Sequence, residues 1–278
     1  MANGTGGSAP SGNHLGVNRA FTKFLFVVPR REDATGVSRV RTAGSNIARG
    51  FFNDYDADGA RESAPHETVQ FYVAQGERYA DPGADSGADS GMGAARYAVQ
   101  VSGKYRPRLN EHEAELRRRL GDAGDVIALD GAERTPRYTS SEMYEYAYRG
   151  AVPRKSGRIA RNMFVLPMSK TAEWWQFSAL ERHAFFYPHV DSGTGCPVHG
   201  HARTAEAGIN TVYRRLYHNP DGYQRAGEFD FITYFECEDQ HVDTFCRVHE
   251  SLRDTARNPE WRYVKEGPLW RGHRVLRW

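Results

Sequence analysis

From residue 21 onward the chain alternates short apolar runs with polar punctuation, and the period of each run predicts its element. Residues 21–28 (FTKFLFVV) are rich in aromatic and β-branched side chains and predict a strand, as do 66–75 (HETVQFYVAQ) and 97–101. Residues 38–52 predict a helix ending in the acidic turn 53–59, and 111–120 (EHEAELRRRL) predict a short amphipathic helix. The order strand–helix–strand–strand–helix is that of an α+β domain.

A second unit of similar order follows. Residues 163–167 (MFVLP) predict a strand, and 170–189 are mostly helical, with Ser178 placed to cap the second part. Residues 210–218 and 228–237 predict a hairpin around NPDGYQRAG. An amphipathic helix over 242–257 carries Val242, Phe245, Leu252 and Ala256 on one side, and 261–264 predict the closing strand. The repeat of one element order predicts two duplicated ferredoxin-like domains of the α+β class, spanning 18–150 and 151–278. The sequence around them reads as a disordered tail over 1–17, a flexible low-complexity insertion over 80–94 and a connector over 137–157 containing Pro153 and Gly157.

Composition narrows the function. A net charge of +2 gives no electrostatic reason to expect nucleic acid or an anionic membrane. No apolar run approaches the roughly 18 residues of a membrane span, and the polar first residues lack the pattern of an export signal, so the expected location is the cytoplasm. Three irregularly spaced cysteines, Cys196, Cys237 and Cys246, make no disulfide framework. Asp54, Asp56, Asp58 and Gly59 match the first half of a calcium loop, but its twelfth position is Pro65 rather than glutamate.

Four elements of the second half carry the candidate chemistry: SKTAEWW, ERHAFFYPH, VYRRLYH with DFITYFE, and NPEW. Each alone has an ordinary structural meaning, since paired tryptophans are usually core and a strand arginine is usually solvated. Together, and in this order, they resemble the chlorite dismutase family over about residues 163–263. The resemblance implies a duplicated ferredoxin-like α+β barrel with antiparallel sheets, and haem b in the C-terminal half. It implies His189, fourteen residues after Trp175, as the iron ligand, and Glu260 as acceptor for its second nitrogen. Trp175 would pack beside that ligand, and Trp174 and Lys170 would contribute to the haem edge, the lysine facing a propionate. Arg214 would stand opposite, with Val212 and Leu216 on the same strand face.

The activity implied is decomposition of chlorite to chloride and dioxygen through a ferryl intermediate, with Arg214 holding the oxyanion. Two alternatives remain open: a haem oxidase or peroxidase acting on an organic or nitrogenous substrate, and a non-catalytic haem carrier or sensor. The decarboxylases of this family resemble it with a tyrosine where this chain has Leu166, which argues against that activity. The resemblance also implies a small-molecule substrate and a homo-oligomer, perhaps a pentamer. One departure is the long stretch between His189 and Arg214, about twice the family's spacing. It contains Cys196, His199 and His201, a metal-ligand composition whose ordinary reading is a polar loop, and it makes His183, His199 and His201 competitors of His189.

Overall fold

The computed structural model describes residues 18–30, 67–75, 91–135, 141–146 and 160–275. The expected helix over 38–52, the acidic turn with its half calcium loop, the tail over 1–17 and most of the insertion and connector lie outside these residues.

Four strands build the first half: β1 (Asn18–Pro29), β2 (Glu67–Ala74), β3 (Tyr97–Gly103) and β4 (Gly124–Arg134), with helix α1 (Arg106–Leu120) between the last two. A short helical turn, α2 (Ser141–Tyr144), precedes the second half. There β5 (Asn162–Lys170) is followed by α3 (Ala172–Gln176), α4 (Ala179–Ala184), the small hairpin β6 (His189–Val190) and β7 (Pro197–Val198), and α5 (Gly200–Thr204). Strands β8 (Tyr213–His218) and β9 (Phe231–Cys237), helix α6 (Val242–Leu252), β10 (Val264–Glu266) and β11 (Trp270–Arg274) complete the chain.

Within the first half the spatial order is β2-β3-β1-β4, and within the second it is β11-β5-β9-β8. These are the same arrangement, the ferredoxin-like order, written twice. All pairings are antiparallel, and β2–β11 and β4–β8 join the halves into a closed barrel. The expected α+β barrel is therefore observed.

Several elements differ from the expectation for local reasons. Strand β4 was not anticipated: its apolar positions alternate with Asp125 and Asp130, and Asp130 enters the barrel's polar rim through ion pairs with Lys23 (2.8 Å) and Arg106 (3.0 Å). Residues 170–189 form two short helices rather than one. Phe177 leaves helical backbone, and Ser178 starts the next helix with a reciprocal capping box to Glu181. Residues 261–263 belong to a 3-10 turn, and the closing strand is β11. Pro167 explains why β10 and β11 are separate. Lacking an N–H, it stands opposite the break between β10, paired with residues 168–170, and β11, paired with 162–165.

The side chains alternate between two layers. Inside the barrel Phe24 and Phe26 of the first half meet Tyr217, Tyr234 and Trp270 of the second. The same lumen buries an ion pair, Arg274–Glu236 at 2.6 Å with both side chains at 0% exposure, and both residues also bond tyrosine hydroxyls. The outer face of the first half is filled by α1, whose Leu109, Leu116 and Leu120 pack on Leu25, Val99 and Val101. The corresponding face of the second half lies under α6, which meets it through Phe245 on Phe164, rings stacked at 3.8 Å. Val242 and Phe245 also pack on Val212 and Phe235, and a hollow remains between this face and the helices.

Two predictions follow from the β4–β8 seam. A Cβ on Gly131 would lie 2.7 Å from the Tyr217 Cβ, so Gly131→Ala forces the seam apart. It is expected to lower stability by about 1–3 kcal/mol, visible as a lower urea midpoint. Beside it, His218 is fully buried, with its Nδ1 3.0 Å from the Tyr223 hydroxyl. Burial, with Arg134 nearby, pushes its pKa down from 6.5 to about 3. Between these values the unfolded chain takes a proton that the folded chain refuses, so stability falls on acidification below 6.5, by about 1.4 kcal/mol per pH unit. Urea midpoints from pH 7 to 5 are expected to decline, and less steeply in His218→Asn.

Candidate functional site

The open outer face of the second half is one wall of a large, mostly apolar cavity of about 1260 Å³, counted with its open mouth. Strand alternation supplies this wall: Leu166 and Met168 from β5, Val212 just before β8 with Arg214 and Leu216 on it, and Phe231, Thr233 and Phe235 from β9. Opposite stand Trp174, His201 and the α6 residues Phe245, Val248, His249 and Leu252. Lys170, Glu260 and Trp261 also line it.

His201 is placed by the glycine before it. Gly200 takes φ +65°, and a Cβ there would lie 2.6 Å from the Tyr187 carbonyl oxygen, so only glycine fits. The His199 and Gly200 amides both donate to the Arg257 carbonyl, and the His201 amide donates to that of Phe185. The imidazole Nδ1 is 3.2 Å from Glu260 Oε2, and Lys170 Nζ donates to Glu260 Oε1 at 2.6 Å. Burial alone raises the Glu260 pKa, but the adjacent Lys170 and His201 more than offset it and hold the carboxyl well below its usual range. An ionised Glu260 accepts the Nδ1 proton of His201, which leaves Nε2 as the nitrogen with a free lone pair. His249 carries the opposite tautomer. Arg253, which can only donate, bonds its Nδ1, so the proton sits on Nε2 and the ring is unsuited to a metal.

Arg214 occupies the sheet wall. Its guanidinium donates Nε to the Tyr146 carbonyl at 3.1 Å, with Nη2 on the same oxygen, and stacks over the Tyr146 ring at 4.0 Å. Burial lowers its pKa without threatening its charge.

Of the residues expected from the sequence, Lys170, Trp174, Arg214 and Glu260 are brought to this cavity, and His189 and Trp175 are not. His189 lies exposed on β6, with its Nδ1 against the Tyr187 carbonyl. The reason is the inserted stretch: residues 189–198 form the β6–β7 hairpin, and the chain re-enters the cavity at His201. Trp175 faces away, stacked on Tyr223 at 4.5 Å and donating to the buried Asp230. Lys170 lines the cavity with its ammonium engaged by Glu260, and it stands over the Trp174 ring at 4.9 Å. Sequence reasoning missed Tyr146, which falls in the expected connector with no periodic signal, and His249, which looked like one more polar position on α6. Cys196, His199 and His201 do not assemble: among the described residues no three His, Cys, Asp or Glu side chains converge as a metal cluster. No helix among them is long and apolar enough to cross a membrane.

Fold and cavity together define a duplicated ferredoxin-like barrel with a hollow outer face in its second half. Solved structures similar to it include chlorite dismutases. That from Candidatus Nitrospira defluvii, in complex with imidazole, is 19% identical over 93% of this chain and 92% of its own, with a TM-score of 0.60. A tryptophan variant of the same enzyme is 19% identical over 96% of each chain, with a TM-score of 0.61. The chain thus has the chlorite dismutase fold. A scan against protein-family models finds no match.

Proposed function

We propose that this protein is a haem-dependent oxidoreductase of the chlorite dismutase kind, with His201 as the iron ligand and Arg214 as the anion-binding residue. The observation that carries the reading is the pairing, across one apolar cavity, of a carboxylate-anchored imidazole and a guanidinium. The apolar lining, with a few polar groups converging on it, suits a largely apolar organic cofactor better than a small anion alone. A further fit is the Trp261 indole N–H, buried in the wall without a hydrogen-bond partner among the described residues. A porphyrin carboxylate is an acceptor of the kind this donor lacks.

In this reading His201 Nε2 holds the iron and Glu260 fixes the tautomer. Lys170 shares that carboxylate and so weakens its pull on the Nδ1 proton. The iron would supply the oxygen-transfer chemistry when bound. Arg214 presents N–H donors to a small oxyanion and keeps the anionic product in the cavity, while the apolar walls limit water and strengthen that attraction. The test is reconstitution with haemin followed by an oxygen electrode trace with chlorite. A Soret band and rapid oxygen release are expected, with Arg214→Ala losing roughly 10²-fold or more of the rate. Haem binding with peroxide turnover but no oxygen from chlorite would select an oxidase or peroxidase; haem binding with neither would select a carrier.

A further inference from the structure

Resting on the haem reading, we propose that Tyr146 is a gatekeeper of the cavity. Its ring competes with the porphyrin for the slot between His201 and Arg214, so entry of the cofactor uncovers the face of Arg214 on which the ring is stacked.

The geometry is specific. The Tyr146 ring lies 5.6 Å from the His201 ring, at 86° to it, and its face carries the Arg214 guanidinium at 4.0 Å. The tyrosine ring thus occupies the space between the residue that would hold the iron and the one that would hold the anion. Phe186 steadies it edge-on at 5.1 Å and stacks on His201 from beside. Two aromatic rings cannot share one layer, because contact needs about 3.5–4 Å on each side. The Tyr146 carbonyl meanwhile accepts both bonds from Arg214, so the arginine is turned to the residue that carries the wedge. A flat cofactor that displaces the ring breaks the stacking and uncovers that face of Arg214, whose bonds to the Tyr146 backbone carbonyl do not depend on the ring. In this structure the wedge covers one face of the Arg214 guanidinium.

The wedge is held by ring contacts and by stacking under a partly desolvated cation, interactions that together retard entry on the order of tenfold. The effect should follow ring size, since the hydroxyl is not part of the argument. Haemin association with the cofactor-free full chain, followed at the Soret band, tests it. Tyr146→Ala is expected to load about tenfold faster than wild type, Tyr146→Phe within about twofold of it, and Tyr146→Trp more slowly. The Phe and Trp variants keep the ring contacts, so the series can be read even if Ala disturbs folding. Equal rates across the series, or slower loading with the smaller side chain, overturn the wedge while leaving the haem reading intact. A wild-type chain that gives no Soret band overturns both.

Discussion

Replacing His201 with alanine is expected to abolish axial ligation of haem, while His189→Ala leaves the spectrum of the reconstituted protein unchanged. The difference arises from geometry. His201 lies in the cavity wall with its Nδ1 toward a buried carboxylate, whereas His189 is exposed on a two-residue strand. Loss of an outer partner of a metal ligand lowers affinity roughly 10–100-fold, and loss of the ligand itself should exceed that. The Soret maximum should shift or disappear in His201→Ala, and added imidazole should restore it by filling the space left by the ring. The reverse pattern, with position 189 sensitive and 201 silent, would remove the basis of the proposed site.

Glu260→Ala is the second large expected effect, and it acts on stability as well as on the ligand. Lys170 and Glu260 have side chains only 8% and 10% exposed, so removing the carboxylate leaves a buried ammonium with the Trp174 ring as its main company. Breaking such a pair typically costs about 3–5 kcal/mol, because the remaining charge has lost its water and its partner. Glu260→Gln, which can still accept from Lys170, should lose less. The sign with pH follows from the depressed carboxyl pKa. Its stabilisation is present above the ordinary carboxylate range and is lost as pH falls through and below that range. Urea midpoints of wild type and Glu260→Gln should therefore converge on acidification. A double replacement, Lys170→Met with Glu260→Leu, should recover much of the loss by removing both charges. A single alanine variant as stable as wild type would show that the pair is solvated.

Much of the fold was legible because the strands that matter have strong patterns. β1, β8 and β9 are dense in aromatic residues, and their alternation alone places Arg214 on the face of Val212 and Leu216. β4 was illegible because its polar positions look like a loop until Lys23 and Arg106 are seen beside Asp130. Ordered motifs point to Lys170, Trp174, Arg214 and Glu260, which all line the cavity, whereas the forward count from Trp175 points to His189, which does not. A count of that kind is sensitive to an insertion. Counting back from Arg214 reaches His201, thirteen residues before it and close to the half-length spacing that the resemblance implies, and this is the imidazole of the proposed site. Gly200, squeezed against Tyr187, was the local signal for where the chain turns back inward. Tyr146 had no signal, because a residue acting across the fold from an irregular segment leaves no period in the sequence.

The shared lumen of the barrel bears on how this chain can change. Phe24 and Phe26 from one repeat interlock with Tyr217, Tyr234 and Trp270 from the other, so the interior belongs to neither copy alone. The hollow lies on the far side of the same strands, reached by the alternate residues. Substitutions at Leu166, Thr233 or Phe235 can therefore reshape what the cavity accepts without touching the aromatic interlock one residue away. Duplication has separated innovation from integrity across the thickness of a single sheet.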